Sequence, residues 1–432
     1  MSHYLELNTF LIIIFFVISG FLNSQESDTL NSKLEPNKIF MPNIKTVQLY
    51  RDGWEMSPPL IKFNTAEKLK LSFDDLDGDR KVYMYTIVHC NPEWEPEDLE
   101  NYQYIDGYYE DYITDYWFSM NTIQPYTHYE LIFPTQDLAP AISGNYILKV
   151  FIENPDSICF TRQFMVVDQK VKFEAKVKQA TQLDDRKTSQ EIDFEVIANQ
   201  YRIINPYRDL NVVIRQNGRW DNAISNLKPK MVIGDKLDFN YDRENVFRGG
   251  NEFRNIDFKS LTYYTENVIK IDYTGEGYQV FVREGEKRTF QVYKTESDIN
   301  GRFIVKTEDR TQTATEAEYV YTHFFLAYPV PLIDGDIYIM GELTNWNFNE
   351  QNKMTYNFKR KGYEKTLYLK QGFYDYAYIL LNHGEKVADE SFIEGSHWET
   401  ENDYTIYIYN RNVSLDYDEL IGVHHLNSLT DR

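Results

Sequence analysis

Leu69, Leu71 and Phe73 alternate with Lys68, Lys70 and Ser72, and after a short break Val82, Met84 and Val88 alternate with Tyr83, Tyr85, Ile87 and His89. Successive side chains of a β-strand point to opposite faces, so a two-residue period marks strands with one face buried. The period returns along the chain. Val171, Phe173, Ala175 and Val177 share one face of "KVKFEAKV", and Ile192, Phe194 and Val196 share one in "EIDFEVI". "GNYILKVFI" (144–152) and "RQFMVVD" (162–168) read as strands between polar turns, and "LNVVIRQNGRW" runs as a strand until it turns at Asn217-Gly218. No long stretch keeps the 3.6-residue period of an amphipathic helix. Aromatic residues, 16% of the chain with 35 Tyr and 27 Phe, suit pleated and half-buried surfaces. Short strands punctuated by turns indicate an all-β chain of tandem antiparallel β-sandwiches rather than α/β units.

At 432 residues the chain exceeds one ordinary domain, and 42% hydrophobic residues can fill several cores. The apolar run at 10–21, "FLIIIFFVISGF", is short for a bilayer span and is followed by polar residues, so 1–24 is expected to be a secretory signal peptide with Ser24 near its end. A retained anchor is the alternative. No cysteine follows the run, which disfavours a lipoprotein. Residues 25–43 read as a flexible lead-in, 44–168 as a first sandwich and 169–307 as a second. The polar stretch 308–318 reads as a linker, 319–422 as a third sandwich and 423–432 as a tail.

The net charge of -22 repels phosphate backbones and anionic lipid, so neither nucleic acid nor direct lipid binding is expected. The two cysteines, Cys90 and Cys159, sit in strand-like segments; an exported chain permits a disulfide, but two buried thiols are the simpler expectation.

The motif "DDLDGD" raises calcium. An EF-hand loop beginning at Asp75 has carboxylates at positions 1, 3 and 5, namely Asp75, Asp77 and Asp79, but Arg80 stands where Gly is needed and Thr86 where the closing Glu belongs. Asp-Gly between alternating strands is instead a hairpin signal, so a metal-free hairpin turn is expected here. Catalytic signatures are missing: there is no G-x-S-x-G elbow, P-loop, H-E-x-x-H or dinucleotide fingerprint. The tandem His424-His425 reads as a solvated face, and Gly249-Gly250 with Arg248 and Arg254 as a tight turn. No cofactor or metal is expected.

One stretch stands out. "YIDGYYEDYITDYW" (104–117) interleaves Tyr104, Tyr108, Tyr109, Tyr112 and Tyr116 with Asp106, Glu110, Asp111 and Asp115. Buried unpaired carboxylates are costly, so this is not a core strand. Exposed tyrosines in number suit a protein interface, and paired carboxylates also raise a divergent glycoside hydrolase.

The third module resembles the early-set immunoglobulin-like sandwiches found beside glycoside hydrolase domains. The resemblance rests on Gly341 with Trp346 and on Leu369, Gly372, Tyr374 and Tyr376. It implies an immunoglobulin-like fold and, as an alternative function, glycan contact through Trp346 or Trp398.

Over nearly the whole mature chain, "VQLYRDGWEMSPPLIKF", "LSFDDLDGD", "VHCNPEWEP", "YIDGYYEDYI", "NTIQPYTHYELIFP", "SGNYILKV", "RQFMVVD", "QNGRWDNAI", "VFRGGNEFR" and "DINGRF" occur in order. Together they resemble the type IX secretion system plug family of Bacteroidota. The resemblance implies a non-catalytic periplasmic protein, a monomer when free, that closes the periplasmic mouth of the outer-membrane translocon barrel. It carries no catalytic residues. The 104–117 tyrosines are then the expected contact with the barrel.

Overall fold

The computed structural model describes residues 34–199 and 201–432, so the expected signal segment and most of the lead-in lie outside the described residues. The strands Ile44–Arg51, Leu69–Asp75, Thr127–Phe133 and Asp115–Phe118 pair in that order into one sheet. Facing it are Leu60–Lys62, Ile158–Val167, Gly144–Ile152, Tyr83–Cys90 and Asp111–Ile113. Leu69, Leu71 and Phe73 enter the core from the first sheet, and Tyr83, Tyr85, Ile87, Tyr146, Leu148 and Phe160 from the second. The Phe73 ring meets Tyr83 edge-on at 5.0 Å and Phe160 at 4.9 Å, so aromatic edges and faces join the two layers.

That packing corrects the reading of the acidic turn. Leu69–Asp75 and Tyr83–Cys90 belong to different sheets, so the loop between them arches across the sandwich instead of closing a hairpin. Both flanking strands alternate, but alternation does not say which strand is the partner. Gly78 supplies the positive φ of +70° within the arch.

The second sandwich sets Lys172–Gln179, Ser189–Ile197, Lys236–Asp238 and Met231–Ile233 against Leu210–Gln216, Asp403–Asn412 and Tyr417–Asn427. Its core takes Ile192, Phe194 and Val196 from one layer and Val212, Ile214, Ile406 and Ile408 from the other. The third sets Arg254–Asp257, Gly372–Asn382, Phe303–Val305 and Gly335–Met340 against Val268–Thr274, Gly277–Val282, Tyr319–Ala327, Gly362–Lys370 and Thr355–Asn357.

The expected intervals 169–307 and 319–422 therefore exchange strands. Leu210–Gln216 pairs antiparallel with Asp403–Asn412, and Arg254–Asp257 pairs with Gly372–Asn382. The stretch 308–318 is no exposed linker either. Thr315, Ala317 and Glu318 are buried, and the Glu318 carboxylate accepts the backbone N–H of Ile123 at 2.6 Å. Nor is 423–432 a free tail: the last strand runs to Asn427, Leu426 is buried, and Val177 donates its N–H to the Asp431 carbonyl. Pro36–Arg432 forms one unit by its contacts. No helix among the described residues is long and apolar enough to cross a membrane.

Cys90 and Cys159 are separate, buried thiols. Burial pushes both up to about 12, so neither holds thiolate at neutral pH. Labelling with a maleimide at pH 7.5 should therefore modify neither cysteine in the folded protein and both once it is unfolded in urea, read by intact mass.

Candidate functional site

The short helix Asn101–Tyr104 is held by the Glu100 N–H donating to Gln103 Oε1 at 2.7 Å. It tucks Tyr104 inward, where its hydroxyl donates to Asn101 Oδ1 at 2.7 Å. The strand Ile105–Gly107 then pairs with Leu138–Pro140. Gly107 has a φ of +103°, and a Cβ there would collide with the Asp137 carbonyl, so only glycine allows this close approach. Beyond it the chain projects. Tyr108, Tyr109 and Tyr112 are 69%, 47% and 55% exposed.

The next residues do something the sequence pattern does not announce. Asp111–Ile113 is the edge strand of the five-stranded sheet, Ile113 opposite Tyr83, while Asp115–Phe118 is the edge strand of the four-stranded sheet, Asp115 opposite Glu130. The chain changes sheets at Thr114, so one continuous segment forms the open edge of both layers. Ile113 points into the core and Tyr116 packs on it, its ring 5.9 Å from Tyr129. Trp117, Phe118, Met120 and Ile123 extend the exposed apolar surface. Open edges invite strand addition; the exposed acids Asp106, Glu110 and Asp115 discourage pairing with the wrong chain.

Five tyrosines were expected at this surface. Tyr108, Tyr109 and Tyr112 are exposed there, whereas Tyr104 is buried and Tyr116 is partly buried against the core. The sequence reading missed Trp117, Phe118, Met120 and Ile123, although "YWF" directly follows the acidic run and was the available signal.

The flank rests on a buried polar centre. Lys370 donates to Asp74 Oδ2 at 2.6 Å, the Tyr319 hydroxyl donates to the same oxygen at 2.7 Å, and His128 Nδ1 lies 2.6 Å from Asp74 Oδ1. Asp74 and Lys370 are both almost wholly buried and come from the first and third sandwiches. Burial alone would raise the Asp74 pKa, but Lys370 and His128 outweigh it and hold the carboxyl below its ordinary value. The Lys370 ammonium also sits 4.1 Å from the centre of the Tyr126 ring, and the Met120 N–H donates to the Thr315 carbonyl. The exposed flank is thus set on a rigid joint between two sandwiches.

Other expected sites fall elsewhere. Lys81 bridges Asp75 at 2.7 Å and also pairs with Asp77 and Asp79, so an ammonium occupies the middle of the acidic arch. Asp75 is buried and receives the Tyr83 hydroxyl at 3.0 Å. The Trp346 ring is wedged so closely against Gly218 and Gly301 that a Cβ at either would collide with it. Trp398 lies at a cleft of about 440 Å³ with Val177, Lys178 and Arg186, and the Arg432 guanidinium lies 4.9 Å over its ring. The two tryptophans do not meet in one platform. His424 stacks on Phe173 at 5.1 Å and His425 bonds to Thr405, so the tandem histidines point apart as neighbours on a strand must. Arg254 pairs with buried Glu394 at 2.9 Å, away from Arg248, which faces Asp185.

Compared with known proteins, residues 44–168 match a family model described as the type 9 secretion system plug protein 1st domain. The interval is the sandwich that carries the aromatic flank. A crystal structure of a hypothetical protein from Parabacteroides merdae is 34% identical, covers 91% of this chain and 99% of that one, and has a TM-score of 0.88. The C-terminal domain of the Streptococcus pyogenes antigen I/II-family protein AspA is 7% identical over 88% of this chain and 98% of that one, with a TM-score of 0.15 that supports no argument. No curated protein matches.

Proposed function

The chain belongs to the type 9 secretion system plug family, which gives it a role in type IX secretion, and from that premise we propose that it is the non-catalytic periplasmic stopper of the outer-membrane translocon barrel. The observation that carries this reading is the flank of Tyr108, Tyr109, Tyr112, Trp117 and Phe118, exposed along both open sheet edges of the domain that matches the family. Tyrosine and tryptophan offer large contact area at low entropy cost. Interleaved acids keep the free protein soluble, which a stopper that must also leave requires. A wide barrel lumen leaks unless something folded covers it, and three sandwiches locked by buried ion pairs are stiff enough to serve.

Replacing Tyr108 and Tyr109 together with Ser should cut co-purification with the translocon barrel by about tenfold or more, since central interface aromatics each contribute more than about 1 kcal/mol. The melting temperature should stay put because both side chains are exposed. Deleting the gene should leave type IX secretion working and make the outer membrane leakier to large solutes. Unchanged permeability, together with a wild-type protein that never associates with the barrel, would overturn the proposal.

A further inference from the structure

A sheet edge presents backbone groups that its own sheet cannot satisfy, and proteins usually blunt such edges. Several edges of this chain are blunted. Ile44–Arg51 is irregular between Lys45 and Gln48, and its Val47 carbonyl accepts from Arg162 at 3.1 Å. Lys172–Gln179 carries Lys172, Lys176 and Lys178, and its Val177 N–H goes to the Asp431 carbonyl. Val268–Thr274 is interrupted between Val268 and Lys270. On Asp111–Ile113 the Tyr112 N–H is taken by Asp111 Oδ1 at 2.8 Å.

Asp115–Phe118 has none of these devices. Its register with Thr127–Phe133 is unbroken, and it carries no Lys, Arg or Pro. The Ser119 N–H donates to the Tyr126 carbonyl at 2.8 Å and continues that register. Bonded and non-bonded pairs alternate along an antiparallel ladder, so Asp115 and Trp117 also bond inward to the sheet. The N–H and C=O of Tyr116 and Phe118 then point away from it, and among the described residues no backbone group outside the sheet takes them.

The side chains alternate as well. Tyr116 and Phe118 stand on one face with their rings 5.7 Å apart, and Tyr116 packs on the core. Asp115 and Trp117 stand on the other, where the indole lies 6.4 Å from the His128 ring. A strand laid alongside would meet aromatic rings on one face and a carboxylate beside an indole on the other. The charge around this edge is negative. Asp106, Glu110, Asp111 and Asp115 outnumber Arg80, which lies 5.2 Å over the Tyr116 ring, and Lys149, which sits in the field of Glu110. Free donors and acceptors in a straight row match only an extended backbone, and the acids select a basic one.

Building on the stopper reading, we infer that this edge takes an extended segment of the translocon barrel as a fifth strand of the four-stranded sheet, with apolar residues alternating with Lys or Arg. The tyrosines 108, 109 and 112 then supply contact area, and the edge supplies register and orientation.

The test is hydrogen exchange of the full mature chain, alone and mixed with the detergent-solubilised barrel, read residue by residue by mass spectrometry. In the free chain the Tyr116 and Phe118 amides should exchange fast, and in the complex both should slow about tenfold or more. Phe118→Pro breaks no bond of the native ladder, so its melting temperature should match that of Phe118→Thr. It should nevertheless bind the barrel about tenfold more weakly than Phe118→Thr, because both lose the ring but only proline lacks the N–H. Asp115→Lys should weaken capture and make it less sensitive to salt. A complex whose Tyr116 and Phe118 amides exchange as in the free chain overturns strand addition, as does equal binding by the two Phe118 variants. Loss of binding on changing Tyr108 and Tyr109 would in that case leave the stopper reading standing alone. A wild-type chain that forms no complex overturns both.

Discussion

Lys370→Met will lower stability to urea by about 3–5 kcal/mol, the usual loss when one partner of a buried ion pair is removed. Asp74 would keep the Tyr319 hydroxyl and His128 but lose its only cation at 2.6 Å on Oδ2, and it is almost wholly buried. The double variant Asp74→Asn, Lys370→Met should recover most of the loss, because no uncompensated charge then remains. Since the pair spans the first and third sandwiches, the single variant should also expose the joint at Thr315–Glu318 to hydrogen exchange before the cores open. A single variant within about 1 kcal/mol of the wild type would show that the pair carries no such load.

A second large effect concerns alkaline pH. Asp375 is buried on the strand Gly372–Asn382 of the third sandwich, and its Oδ2 accepts the N–H of Ile299 at 2.6 Å and of Gly301 at 3.2 Å. Burial, reinforced by the nearby Asp298 carboxylate, raises its pKa to about 8. Burial also raises Glu252 to about 7 and Asp298 to about 6. In the unfolded chain these groups ionise near pH 4. Between about pH 4 and pH 8 the folded state therefore holds protons that the unfolded state has released, and stability falls as pH rises, by at most about 1.4 kcal/mol per pH unit for each group. Their contribution is fully present below pH 4 and is lost once pH passes the folded values. Urea midpoints measured from pH 6.5 to 8.5 should decline, and Asp375→Asn should flatten the decline, since Asn cannot ionise. A variant with the wild-type slope would rule Asp375 out as its source. The groups hold the segment 293–301, and the next residue, Arg302, meets Asp403 and the Met56 carbonyl, so loosening the segment should disturb the meeting of all three sandwiches.

What the sequence determined by itself is the kind of structure and, on its most regular strands, which side chains face inward. Val171, Val177, Ile192, Phe194 and Val196 lie in one core as their alternation required, because the pleat forces a period of two wherever one face is buried. The exposure of Tyr108, Tyr109 and Tyr112 was legible for a similar reason: four carboxylates within fourteen residues cannot follow them into a core. Tertiary structure decided the partners. Leu69–Asp75 and Tyr83–Cys90 look alike in sequence whether they pair with each other or face each other, and the choice is made by Phe73 packing across the gap on Tyr83 and Phe160. Leu210–Gln216 finds Asp403–Asn412, and Asp74 finds Lys370, because burial of whole layers brings distant segments together. Periodicity is a property of a strand and its own faces, whereas hydrogen-bond partners and buried charge pairs depend on which strand arrives alongside, and no local pattern records that.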